Sequence, residues 1–145
     1  NIRAINASKI KFDYRKSDFS KDLIFLSATF RGKKGNIQLI EKQINEMKAK
    51  KNLAQPSKIK TSGSTFKNPD EKTSALKAWE LIQKSDCHKI KLDGVSFSKK
   101  HSNFIENKQN VSANLIEDFC KLVQKNVFEK TGVELLMEIE ILGER

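Results

Sequence analysis

The sequence predicts an α+β fold, and three patterns carry that prediction. Apolar residues alternate with period two near both ends, at Ile10, Phe12 and Tyr14 and again from Val133 to Ile141. Between them apolar residues recur at spacings of three and four, most clearly from Ser112 to Lys130. Strands at both ends with helices between them make a mixed architecture, and no internal repeat or low-complexity segment disturbs it.

The first strand is expected over residues 9–14, with Ile10, Phe12 and Tyr14 on one face, and Ser17 to Lys21 reads as a polar connection. Leu23 to Phe30 reads as a second strand, apolar on both faces at its start and therefore inside a sheet. Gly32-Lys33-Lys34-Gly35 is a turn. Asn36 is the N-cap of a helix running to Lys51, in which Ile37, Ile40, Ile44 and Met47 form a buried stripe. A long loop from Asn52 to Asp70 follows, of the kind that more often carries function than fills space. A second helix is expected over residues 74–84, with Ala75, Ala78, Trp79 and Ile82 as its apolar face. Short strands and turns occupy residues 88–107. The third helix, 112–130, is capped by Ser112, stopped by Gly132, and turns Leu115, Phe119, Leu122, Val123 and Val127 inward. The last strand, Val133 to Leu142, puts Val133, Leu135, Met137, Ile139 and Ile141 on one side, and Glu134, Glu138 and Glu140 on the other with Leu136 and Leu142. Two strands at the start would be an open piece of sheet by themselves, so the chain reads as entering in the middle of a larger one.

Composition limits the function. At 145 residues, 37% hydrophobic and 32% charged, the chain can build one substantial core. No apolar run is long enough to cross a bilayer, and Asn1-Ile2-Arg3-Ala4 has no signal-peptide pattern. The two cysteines, Cys87 and Cys120, lie far apart without metal-type spacing, so they read as reduced cytosolic thiols and no metal is expected. The net charge of +10 invites a nucleic-acid reading, but the lysines are spread along the chain with no interleaved basic and aromatic stripe. No nucleic-acid or membrane partner is expected.

The loop holds the sharpest motif, Thr61-Ser62-Gly63-Ser64-Thr65-Phe66-Lys67-Asn68-Pro69. Gly63 suggests a tight turn or a close approach to a ligand, Ser64 and Asn68 offer hydrogen bonds, and Pro69 ends the segment. An ordinary polar loop is the competing reading.

With "FDYRKSDF" (Phe12–Phe19), Gln55-Pro56, "FSKKHSNFIEN" (Phe97–Asn107) and "MEIEILG" (Met137–Gly143), this motif makes the whole chain resemble the C-terminal half of the UDP-N-acetylenolpyruvoylglucosamine reductase family. The resemblance implies a cytoplasmic flavoprotein of peptidoglycan synthesis. Such an enzyme uses FAD and NADPH to reduce the enolpyruvyl ether of a UDP-sugar to UDP-N-acetylmuramate. It implies that residues 1–49 end a flavin-binding domain, 50–137 form a mixed α/β domain for the UDP-sugar, and 138–145 are a strand returning to the flavin side. A monomer is expected. The family's flavin-cradling glycine segment would lie upstream, so this chain alone is expected to be inactive and to bind FAD weakly or not at all. A turn in place of the insertion that larger members carry between Phe30 and Asn36 puts the chain with the shorter subclass.

The same resemblance assigns roles. Ser64 matches the proton donor to the substrate carbon, with Gly63 letting the backbone approach the substrate. Serine is a weak acid, but a carbanionic centre is a strong base, and the exchange leaves no permanent buried charge. Arg15 matches the arginine of a Tyr-Arg-x-Ser motif in which Tyr14 and Ser17 also fit, Tyr14 on the cofactor side. Its planar, permanently charged fork suits a carboxylate. Glu138 matches the glutamate that faces the substrate carboxylate as it becomes an enolate; partly buried beside that second carboxylate, it is expected to have a raised pKa. Asn68 matches a substrate contact through the diphosphate. One of Lys50 and Lys51 matches another, with Lys51 taken as the candidate. His101 and Asn103 fall in a family-type motif without an assigned role. The alternative reading is a redox-inactive UDP-sugar-binding module.

Overall fold

The computed structural model describes residues 1–14, 16–19, 22–57 and 59–143. The chain divides into two compact units, Asn1–Asn36 and Ile37–Arg145.

In the first unit the Asn6 side chain accepts from the Ser8 N–H at 3.0 Å and opens a 3-10 turn over Ala7–Lys9. A small hairpin follows, β1 (Phe12–Asp13) against β2 (Lys16–Ser17), antiparallel with Phe12 opposite Ser17. Asp18 closes its base: its N–H donates to the Lys11 carbonyl at 3.1 Å and its carboxylate accepts from the Lys11 N–H at 2.9 Å. The expected strand over 9–14 is thus two residues long, and the expected connection from Ser17 begins inside a strand. Ser20 and Lys21 lie outside the described residues.

The strand expected over 23–30 is not formed. Ile24, Phe25, Leu26 and Phe30 are exposed, and Phe25 meets Phe19 edge-on at 4.8 Å. A strand requires a neighbour to take its N–H and C=O groups, and among the described residues none pairs with this segment.

The second unit begins with α1 (Ile37–Ala54), three residues longer at its end than the spacing predicts. Its stripe is where expected but is not buried: Ile37, Ile40, Ile44 and Met47 are all exposed. Periodicity marks an amphipathic helix without saying whether anything covers its apolar face.

The core lies further on. α2 spans Ala78–Lys84 and α3 Ala113–Thr131. Between them a three-stranded antiparallel sheet forms in the order β3 (Lys91–Leu92), β4 (Val95–Phe97), β5 (Ile105–Asn107). The β3–β4 turn is Asp93-Gly94, both with positive φ (37° and 93°), the backbone a two-residue hairpin requires.

α2 starts four residues later than its periodicity suggests. The Asp70 carbonyl takes the N–H groups of Thr73 and Ser74, and Ser74 Oγ takes the Leu76 N–H at 3.0 Å, so local side-chain bonding competes with the first helical turn. Its buried face is Ala78, Leu81 and Ile82, with Ala75 exposed and Trp79 at the rim.

α3 matches closely at its ends. Ser112 Oγ accepts from the Leu115 N–H, and Gly132 ends the helix at φ 70° with its N–H on the Phe128 carbonyl at 2.8 Å. Phe119, Cys120, Val123 and Val127 are buried, whereas the expected Leu122 is exposed; Cys120, the fourth residue before Gln124, takes its place on the inner face. The Phe119 ring meets Phe97 of β4 edge-on at 5.2 Å, and both cysteines are free and buried. Beyond α3, Val133 and Leu135 lie in the core and Met137 and Ile139 partly so. Alternation in burial holds from Val133 to Leu136 and then lapses, with Met137, Glu138 and Ile139 all half-buried and Ile141 exposed, and the regular strand expected to Leu142 reduces to one bridge, Met137 with Phe66. Among the described residues no helix is long and apolar enough to cross a membrane.

Candidate active site

The segment from Gly63 to Asn68 is held between two others. Gly63 has φ 91°, and the Thr61 hydroxyl accepts its N–H at 3.3 Å. A Cβ at Gly63 would meet nothing within 4 Å, so the glycine is required by backbone shape rather than by crowding. Ser64 bridges antiparallel to Phe104, and Phe66 to Met137. The Thr65 N–H donates to the Asn103 carbonyl at 2.8 Å on one side. The Thr65 carbonyl accepts from the Glu138 N–H, also at 2.8 Å, on the other. The Lys67 N–H completes the second seam on the Leu136 carbonyl at 2.8 Å.

This arrangement brings Ser64 and Glu138 onto neighbouring segments, one residue from a shared backbone hydrogen bond. Ser64 is half-buried. Glu138 is half-buried between Met137 and Ile139, with its Oε2 fully covered. Next to this segment lies a cleft of about 170 Å³ lined by Lys60, Thr61, Ser62, Ile105, Asn107 and Ile139. It is smaller than the roughly 300–1,000 Å³ of a typical small-molecule site.

The other sequence-predicted residues stand elsewhere. Asn68 is exposed, and its Oδ1 accepts from the Ala78 N–H at 3.1 Å, tying the motif to the start of α2. Lys51 is exposed in the last turn of α1, its carbonyl accepting from the Gln55 N–H at 2.8 Å. Tyr14 is exposed beside the β1–β2 hairpin of the first unit. Arg15 lies outside the described residues.

Asn103 and His101 are the residues whose part the sequence left open. Asn103 is buried, with its amide bonded to the Phe66 backbone at both ends: Oδ1 accepts the Phe66 N–H at 2.9 Å and Nδ2 donates to the Phe66 carbonyl at 2.8 Å. His101 Nδ1 accepts the Asn103 N–H at 3.2 Å and its ring meets Phe104 edge-on at 4.7 Å. Burial holds the His101 pKa below its ordinary value. The available signal was an asparagine directly before the apolar Phe104-Ile105 pair, where a buried polar group must find partners. Nearby, burial pushes the Glu106 carboxyl up. Hydrogen bonds from Lys108 and Ser98, with the charges of Lys108 and Lys99, outweigh that and leave it below its ordinary value.

Residues 55–142 match the family model described as UDP-N-acetylenolpyruvoylglucosamine reductase, C-terminal domain. A UDP-N-acetylenolpyruvoylglucosamine reductase of Pelagibacter ubique (strain HTCC1062) is 47% identical over 141 residues, which is 97% of this chain and 46% of that protein. Proteins of the same name from Rickettsia akari (strain Hartford) and Rickettsia bellii (strain RML369-C) are 39% and 38% identical, each over 99% of this chain and 47% and 46% of their own lengths. The chain spans just under half the length of the curated relatives it matches. The matched stretch contains the Gly63–Asn68 segment and Glu138, and it covers more than half of the chain: the chain belongs to the UDP-N-acetylenolpyruvoylglucosamine reductase C-terminal domain family.

Proposed function

We propose that this chain carries the substrate side of a UDP-N-acetylenolpyruvoylglucosamine reductase, as the C-terminal half of a longer protein. Its division into 1–49, 50–137 and 138–145 is part of the same proposal. The observation that carries it is the seam in which the Glu138 N–H donates to the Thr65 carbonyl at 2.8 Å, one residue after Ser64. Two groups with complementary tasks stand on adjacent segments beside a glycine that is open to approach.

Reduction of an enolpyruvyl double bond delivers a hydride to one carbon and a proton to the other. Negative charge then gathers on the substrate carboxylate as an enolate. In this reading the Ser64 Oγ–H bond breaks as its proton joins the carbanionic carbon, and solvent later restores the hydroxyl. Glu138 faces the carboxylate and shares a proton with it, while Arg15 supplies a fixed positive charge. Lys51 and Asn68 hold the diphosphate end, Asn68 through the amide nitrogen that its bond to α2 leaves over. The cleft holds at most part of a UDP-sugar, so the remaining walls of the site would come from the rest of the protein.

In this proposal holding the flavin is the task of the intact protein rather than of these residues alone. Among the described residues of the first unit Tyr14 is exposed, and a hollow of about 480 Å³ opens between Arg3, Ile5, Asn6, Lys9, Phe19 and Leu23. FAD and NADPH enter the proposal as the hydride source bound by the intact protein, whose cytoplasmic, monomeric state is part of the same reading. The test is flavin absorbance of the intact protein, bleached by NADPH and restored by the enolpyruvyl UDP-sugar. An intact protein that bound the UDP-sugar but never flavin would instead be a sugar-binding module.

A further inference from the structure

Asn103 is 4% exposed, and while its N–H stays within its own turn on His101, its carbonyl and its side-chain amide all serve one neighbouring segment. Its carbonyl accepts the Thr65 N–H at 2.8 Å, its Oδ1 accepts the Phe66 N–H at 2.9 Å, and its Nδ2 donates to the Phe66 carbonyl at 2.8 Å. Consecutive N–H groups, those of Thr65 and Phe66, therefore point at one residue. In a regular strand they would point to opposite sides, so the chain is bulged immediately after Ser64. The bulge explains how Thr65 can send its N–H to one neighbouring segment and its carbonyl to the other.

Asparagine suits this position for a reason of atoms. A bulged residue needs one acceptor and one donor on a flat group spaced like a peptide, and a primary amide on a single CH₂ provides both. Aspartate offers the acceptor without the donor. The turn that presents Asn103 is itself tied down: the Phe104 N–H donates to the His101 carbonyl at 3.0 Å, and Ser102 Oγ donates to the Trp79 carbonyl of α2 at 3.2 Å. Ser64 then pairs with Phe104, the next residue.

We infer that Asn103 is a positioning residue for Ser64: its amide fixes the bulge that sets where the Ser64 hydroxyl points. The inference rests on the reading of Ser64 as proton donor. Proton transfer is sensitive to placement, and a displacement of about 1 Å can slow a reaction by about a hundredfold. Asn103 acts through the backbone, since its side-chain amide bonds to Phe66 at both ends.

The test uses Asn103→Asp, which keeps the side-chain shape, together with Asn103→Ala and Ser64→Ala. Hydrogen exchange followed by NMR should show the Thr65 and Phe66 amides exchanging about tenfold faster or more in both Asn103 variants, with Phe119 and Val123 protected as before. In the intact protein kcat and kcat/KM for the enolpyruvyl UDP-sugar should fall together, by about a hundredfold, with KM little changed. Unaltered exchange at Thr65 and Phe66, or full kcat in both Asn103 variants alongside a slow Ser64→Ala, would overturn the positioning inference alone. A Ser64→Ala protein turning over at full rate would overturn the proton-donor reading, and the inference built on it, whatever Asn103 does.

Discussion

Ser64 and Asn68 belong to one motif but hold different positions in the fold. Ser64 is clamped between Phe104 and the Thr65–Glu138 seam, while Asn68 reaches forward to the first turn of α2. If Ser64 donates the proton, Ser64→Ala should slow the substrate-dependent step of the intact enzyme by on the order of a hundredfold to ten-thousandfold. Flavin reduction by NADPH should stay near its normal rate, and Ser64→Cys should keep more activity than alanine. Stopped-flow absorbance of the two half-reactions decides this, since a variant slowed only in the NADPH half would exonerate Ser64.

A second residue-scale prediction concerns acid. Burial lowers the His101 pKa from its ordinary 6.5, so as pH falls the unfolded chain takes the proton first. The stability linked to this group is complete above about 6.5 and is lost as pH drops through the lowered folded value. Urea unfolding between pH 7.5 and about 5 should therefore show stability falling, and His101→Asn should flatten that slope. A variant with the same slope as the unaltered chain would remove His101 from the explanation.

At the scale of elements the helices divide by what covers them. Phe119 on α3 is fully buried against Phe97, so Phe119→Ala should cost about 3–5 kcal/mol. Ile44 on α1 is exposed, and Ile44→Ala should stay within about 0.5 kcal/mol in this chain. Equal losses by urea titration would mean that α1 is packed in solution. The β3–β4 turn is less forgiving. Gly94 has φ 93° and a Cβ there would sit 2.9 Å from Gln109 Cβ, so Gly94→Ala should destabilise by more than about 1 kcal/mol.

These contrasts also show what could be read from the sequence. Ser112 and Gly132 bound α3 through local chemistry, a cap and a left-handed stop, and local chemistry is written in the residues themselves. Leu23 to Phe30 and the α1 stripe depart from expectation because burial depends on what lies opposite, which no local pattern specifies. Leu122 departs for a narrower reason: the buried face runs from Phe119 through Val123 and Val127 to Cys120, and at about 100° per residue Leu122 falls beyond its Phe119 edge. In the candidate site, the motif singles out Ser64 and Gly63 through resemblance. The role of Asn103 depends on a contact 37 residues away, which periodicity cannot reach.

For the molecule as a whole, the buried cluster lies in the second unit, while residues 1–36 carry a two-stranded hairpin and exposed apolar side chains. The first unit thus offers a cofactor an open hollow of about 480 Å³ but, among its described residues, no buried apolar side chain to wall it. The chain alone, incubated with FAD and passed through gel filtration, should emerge without stoichiometric flavin absorbance at about 450 nm, since cofactor sites are concave and largely pre-formed. Tight stoichiometric retention would overturn the view that the flavin is held elsewhere.

The seam beside Ser64 joins residues about 70 positions apart, Thr65 with Glu138, after α2, the sheet and α3 have intervened. Closing so long a loop costs entropy before any contact rewards it, whereas α3 and the β3–β4 hairpin form from near neighbours. The seam should accordingly be among the last structures to assemble and absent from the folding transition state. Substitutions that weaken it would then leave the refolding limb of a chevron plot nearly untouched and speed unfolding along the other limb, with φ-values near zero. The same lateness makes the seam an early place for the folded chain to open, so a ligand bound against Ser64 and Glu138 would act as a brake on unfolding.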